Sequence, residues 1–194
     1  MTDRRILLLA IGGALLTASA PLVRHDVLRD APPPAHTGGF GEPTCLTCHM
    51  GDANDPRGAL EISAPAYYTP GATYEIRVRL KHPELAAGGF ELSVRDTAGR
   101  QAGRFITDTA SVAVTTLNDV LYVHHVRAST RPTGDSISWS FDWVAPDNTN
   151  PLVIHVAANA GNDDESPLGD FVYVRSDSVA GVRDTSAGGR SPLN

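Results

Sequence analysis

From Tyr74 to Lys81 the apolar residues Tyr74, Ile76, Val78 and Leu80 alternate with Glu75, Arg77, Arg79 and Lys81. A period of two sends one row of side chains into a core and the other into water, which predicts a half-buried strand. Comparable short runs recur at 90–95, 104–107, 111–117, 121–128, 137–144, 152–158 and 171–175, separated by Gly, Pro, Asn and Asp. Strands of that length punctuated by turn residues predict an all-β chain folded as a β-sandwich. Trp139, Phe141 and Trp143 share one face of their run and are predicted core aromatics.

The patterning begins near Leu60 and fades near Ser176, which divides the chain into four parts. Residues 6–23 are uncharged and largely apolar and follow Arg4 and Arg5, the composition of an export signal. Ala18-Ser19-Ala20 offers a cleavage site, but Pro21 opposes cleavage. At about 1.5 Å per residue the stretch is also long enough to stay as an anchor near the lower limit for a bilayer span. With the arginines held inside, the remainder is expected outside the cytoplasm, in the periplasm or anchored to the inner membrane. Residues 24–57 hold Pro32-Pro33-Pro34 and Gly38-Gly39 and read as an extended linker, 58–178 as the sandwich, and 179–194 as a disordered polar tail. A net charge of −6 without a basic block argues against nucleic acid as a partner.

The chemistry concentrates in the linker. The chain has two cysteines, and both lie in Cys45-Leu46-Thr47-Cys48-His49. In Cys-x-x-Cys-His two thiols add across the vinyl groups of one haem while the adjoining histidine reaches the iron, so the motif predicts one covalent haem c held by Cys45, Cys48 and His49. A thioredoxin-like dithiol would need an α/β setting, and a zinc site a second pair of ligands. For the sixth iron position a methionine is disfavoured, since Met1 lies in the export segment and Met50 directly follows His49. His36, His82, His124, His125 and His155 remain, with an open position or a ligand from a partner as alternatives. His124 and His125 are expected on opposite sides of their strand. Too little chain precedes Leu60 to build a helical cytochrome, so the haem is expected to lean on the β-domain or on a partner.

Several segments together resemble the bacterial reeler-like domains of the choice-of-anchor V family: Tyr68-Thr69-Pro70-Gly71, Gly88-Gly89-Phe90-Glu91-Leu92, Trp139-Ser140-Phe141-Asp142-Trp143, His155-Val156-Ala157-Ala158-Asn159 and Gly169-Asp170-Phe171-Val172-Tyr173. The resemblance implies an immunoglobulin-like sandwich displayed outside the cytoplasm, in some relatives preceded by Cys-x-x-Cys-His. Tyr122-Val123-His124-His125 matches a Tyr-Val-x-His pattern of such relatives, which implies His125 as distal ligand ahead of His155 and then His124. The acidic run 162–165 lacks the spacing of a calcium loop, and no calcium site is assigned. No nucleophile or carboxylate pair outside the motif points to catalysis. The expected function is therefore one-electron transfer to a redox protein or a membrane electron-transfer complex. The alternative is an adhesion or interaction module without haem.

Overall fold

The computed structural model describes residues 31–182; the stretch 6–23 expected to direct export and the tail from 183 lie outside the described residues. Ten strands follow one another: β1 (Ala59–Ser63), β2 (Tyr67–Tyr68), β3 (Thr73–Lys81), β4 (Ala87–Asp96), β5 (Arg104–Ile106), β6 (Val112–Leu117), β7 (Val120–His125), β8 (Ser136–Val144), β9 (Leu152–Gly161) and β10 (Phe171–Gly181). They form a four-stranded sheet, β1-β3-β8-β5, and a six-stranded sheet, β2-β10-β9-β4-β7-β6. The protein is an all-β, two-sheet sandwich. Pairing is antiparallel apart from the short parallel contact of β2 with the end of β10.

The alternation seen in β3 decides its register, because Ile76, Val78 and Leu80 must lie beside Phe141, Trp139 and Ile137 of β8 to share the buried face. Phe90, Leu92 and Val94 of β4 and Ile154 and Val156 of β9 join them in one core. The rings of Phe90 and Trp139 meet at 4.7 Å between centroids. Buried indoles need acceptors, and Trp139 and Trp143 donate to the carbonyls of Ser129 and Ala102 at 2.9 and 3.0 Å.

Two expectations change. The sandwich does not end at 178: β10 continues to Gly181, Val179 is buried, and Ala180 and Gly181 pair with Tyr67 and Tyr68. Small residues permit this, since a Cβ on Gly181 would fall 2.5 Å from the backbone of Thr149. The described part of the linker is also no extended spacer. The Gly38 amide donates to the Pro43 carbonyl at 2.9 Å, the Met50 amide to Pro167 at 2.8 Å and the Asn54 amide to Val172 at 2.8 Å, so the segment is tied to β10 and its approach. It lies over the sandwich and not away from it.

Candidate functional site

On β4 the core takes Phe90, Leu92 and Val94, so Gly89, Glu91, Ser93 and Arg95 face the other side of the six-stranded sheet. The register places Asn159, Ala157 and His155 of β9 beside Gly89, Glu91 and Ser93. On most sandwiches such a face is wet. Here Glu91, Ser93 and Arg95 are all buried, as is Thr37 of the covering segment. Glu42 joins the two layers: its carboxylate accepts from Thr37 Oγ1 and from the Tyr122 hydroxyl, both at 2.6 Å, and pairs with Arg95 Nη2. Burial alone would raise the Glu42 carboxyl, but these hydrogen bonds and the Arg95 charge hold it below its ordinary value. Arg95 also lies over the rings of Phe40 and Tyr122, each 5.2 Å away.

The cysteine motif sits on this lid. The Thr44 hydroxyl accepts from the Leu46 amide at 3.2 Å and starts a 3₁₀ turn over Cys45–Thr47. The Cys48 and His49 amides then both donate to the Cys45 carbonyl, at 3.1 and 2.9 Å. Winding of this kind brings side chains three apart onto one side, so Cys45 and Cys48 are neighbours. Both are free thiols, Cys45 half-buried and Cys48 exposed. Burial, with the Glu91 charge adding to it, pushes the Cys45 thiol up to about 12. A nucleophilic dithiol needs the opposite shift.

His49 Nδ1 lies 2.5 Å from Asp170 Oδ2. The carboxylate accepts the Nδ1 proton, which fixes the tautomer and leaves the Nε2 lone pair for a metal. Asp170 is itself held: Oδ2 accepts from Asn159 Nδ2 at 3.3 Å and Oδ1 from the Asn162 amide at 3.2 Å. Its burial favours the neutral acid, yet the bonds from His49 and Asn162 keep it ionised below the ordinary carboxylate value.

Asn159 is the cross-strand partner of Gly89, and the bare face of Gly89 is filled by the His125 ring, whose Cε1 lies 2.6 Å from where a Cβ would be. His49, Asp170, Asn159, Gly89 and His125 are therefore contiguous, and His49 is among the charges felt by His125. His125 Nδ1 stands 3.0 Å from the Phe90 amide and 3.2 Å from the Phe90 carbonyl. Accepting from the amide puts the ring proton on Nε2, whereas donating to the carbonyl frees Nε2 as a ligand. Burial depresses His125 to about 4, so the ring is neutral at neutral pH, as ligation requires.

The other histidines are placed elsewhere. His155 lies beneath Gly39 and Phe40, with ring centroids 5.2 Å from Phe40, and feels Arg95 and Glu42. His124 spends both nitrogens, Nε2 on Thr115 Oγ1 at 2.9 Å and Nδ1 on the His125 carbonyl at 2.8 Å. His82 is buried and stacked on Phe171, and His36 Nδ1 bonds the Pro34 carbonyl. Among the described residues no group of three or more His, Cys, Asp or Glu side chains is arranged to hold a metal ion, as a closed zinc centre would need. No helix among them is long and apolar enough to cross a membrane. Asp170, Asn159 and Glu91 escaped the sequence reading. The available sign was that all three stand in the stretches that carry the family resemblance.

No family model and no curated protein matches the chain. Solved structures similar to it include a non-cellulosomal cohesin from Archaeoglobus fulgidus, at 11% identity and TM-score 0.37, covering 66% of this chain and 94% of that one. A CARDB domain from Pyrococcus furiosus, solved in complex with di-metal ions, gives 13% identity and TM-score 0.36 over 66% of this chain and 94% of that one. A β-glucosidase from Listeria innocua gives 14% identity and TM-score 0.30 over 64% of this chain and 16% of that one. At these scores the likenesses carry no functional argument, and the sandwich rests on its own two sheets.

Proposed function

We propose that the chain is an exported monohaem c-type cytochrome that passes single electrons to a redox protein or a membrane electron-transfer complex, with its reeler-like sandwich as the wall of the haem site. The observation that carries this reading is the His49–Asp170 bond, which presents Nε2 of the motif histidine as a free donor beside two neighbouring thiols. Haem ligands are oriented in just this way, by a partner on the second ring nitrogen. Cys45 and Cys48 would form the thioethers, His49 the proximal bond and His125 the distal one, with Nδ1 donating to Phe90. Leu46, Met50 and Leu168 are exposed apolar side chains on the motif and on the chain it pairs with, a surface suited to an apolar macrocycle. When bound, the haem supplies a one-electron couple; the residues of the chain attach it, orient its ligands and limit water.

The test is expression of the full chain in a host that matures c-type haem, followed by a haem stain on a denaturing gel and reduced and oxidised absorption spectra. A stained band with sharp low-spin bands is expected, and His125→Ala should turn the spectrum high-spin while leaving the stain. A colourless, stain-negative protein sinks the cytochrome reading and leaves an extracytoplasmic interaction module.

A further inference from the structure

Glu91 is 1% exposed, and its two carboxyl oxygens are unequal: Oε2 accepts from the His36 amide at 2.6 Å, whereas Oε1 has no hydrogen-bond partner. A buried carboxylate with one bare oxygen is costly unless a cation faces it. Arg95, four residues along the strand on the same face, is committed to Glu42 and to the Tyr122 hydroxyl at 2.8 Å. The thiol of Cys45, the point of haem attachment, feels the Glu91 charge. We propose that Glu91 is the proton acceptor of a coupled electron and proton transfer at this site, taking a proton from water as an electron enters the haem attached at Cys45 and returning it as the electron leaves.

The inference rests on the haem reading. Its balance is simple: one electron arrives from a one-electron donor, one proton arrives from solvent, the carboxylate becomes a carboxylic acid, and the net charge of the buried site is unchanged. That neutrality is the driving force, because adding a lone negative charge beside an unpaired carboxylate in a dry site is strongly disfavoured. The groups facing Glu91 agree. The covering segment brings Glu42, Cys45 and the backbone of Ala35 and His36, β4 brings Arg95, β7 brings His124 as cross-strand partner and Tyr122, and β9 brings Ala157 opposite and His155 further along. Burial foremost, opposed by the His36 amide, helped by the Glu42 charge and opposed again by Arg95 and the Ala35 backbone, pushes the Glu91 carboxyl up to about 7. Glu42 and Asp170 are held ionised by their hydrogen bonds and cannot take this part.

The experiment is a reduction-potential titration of the haem-loaded full chain from about pH 5 to about pH 9, with reduced-minus-oxidised infrared difference spectra. The wild-type electron affinity is expected to fall by up to about tenfold per pH unit within that range, which is about 59 mV for a one-electron couple. A protonated-carboxyl band should appear on reduction. Glu91→Gln should flatten the slope and lose the band while keeping the haem; haem propionates also titrate, so the slope left in this variant separates them from Glu91. A haem-bearing wild type with no carboxyl band, or a Glu91→Gln variant with an unchanged slope, overturns the inference and leaves the cytochrome reading intact. Should Glu91→Gln fail to fold, Glu91→Asp decides: a carboxyl band that shifts in this variant belongs to residue 91, and one that stays unchanged belongs to a propionate and overturns the inference. A chain that binds no haem overturns both.

Discussion

The two outer faces of the sandwich are built from the same pattern and come to opposite ends. On the four-stranded sheet Glu75, Arg77 and Arg79 of β3 alternate with core residues and lie in water; Arg77 pairs with Glu75 at 3.0 Å with its side chain 53% exposed. On the six-stranded sheet Glu91, Ser93 and Arg95 of β4 alternate with core residues in the same way, yet the Arg95 side chain is 5% exposed in its pair with Glu42. Four of the five buried polar side-chain atoms without a partner among the described residues belong to this second face: Glu91 Oε1, Ser93 Oγ, Arg95 Nε and Asn159 Oδ1. One face is solvated and inexpensive. The other holds charge in a dry place, which folds accept where chemistry requires it.

The sharpest way to break this contrast is to cut matching arginines. Arg95→Ala strands the Glu42 carboxylate in the buried layer and should cost about 3–5 kcal/mol in equilibrium denaturation. A cost near that of a surface pair would mean that the layer is open to water. Next comes acidification of the haem-free chain. His125 falls from 6.5 to about 4 on folding, so the unfolded chain binds the extra proton between those values. Its contribution is complete above about pH 6.5 and is lost as the pH drops toward 4, worth about 3 kcal/mol. Glu91, raised to about 7, gains stability over nearly the same descent. The His125 share is therefore read as the difference between the chain and its His125→Phe variant, and parallel pH profiles would refute it. Smallest is Arg77→Ala on the solvated face, where the change should stay within about 0.5 kcal/mol by the same denaturation measurement.

How much of this was legible can be seen strand by strand. The period of two in β3 and β8 fixed both the existence of the strands and their inward faces, because burial there follows alternation alone. The cysteine motif stands out by its spacing, whereas His125 is singled out by resemblance alone. The polar row of β4 was not. Nothing local distinguishes Glu91 or Arg95 from Glu75 or Arg77; the difference comes from a Pro- and Gly-rich segment that has no periodicity of its own and gains order by hydrogen bonding to β10 and its approach and to polar groups of β4 and β7. The end of β10 is hidden for a related reason, since Ala180 and Gly181 look like tail residues and are recruited by a parallel partner far away in sequence. Asp170 shows no sign of its role until its contact with His49 is known.

That contact spans 121 positions. Asp170 stands immediately before β10, the last strand, so a chain emerging N-terminus first exposes Cys45, Cys48 and His49 long before their carboxylate exists outside the exit channel. Such a non-local closure is slow. The interval it creates is a window in which the Cys45 thiol, half-buried in the finished fold, is still uncovered; once β10 and its approach dock and bond the Met50 and Asn54 amides, that window closes. Timing, as much as geometry, is encoded in where Asp170 sits.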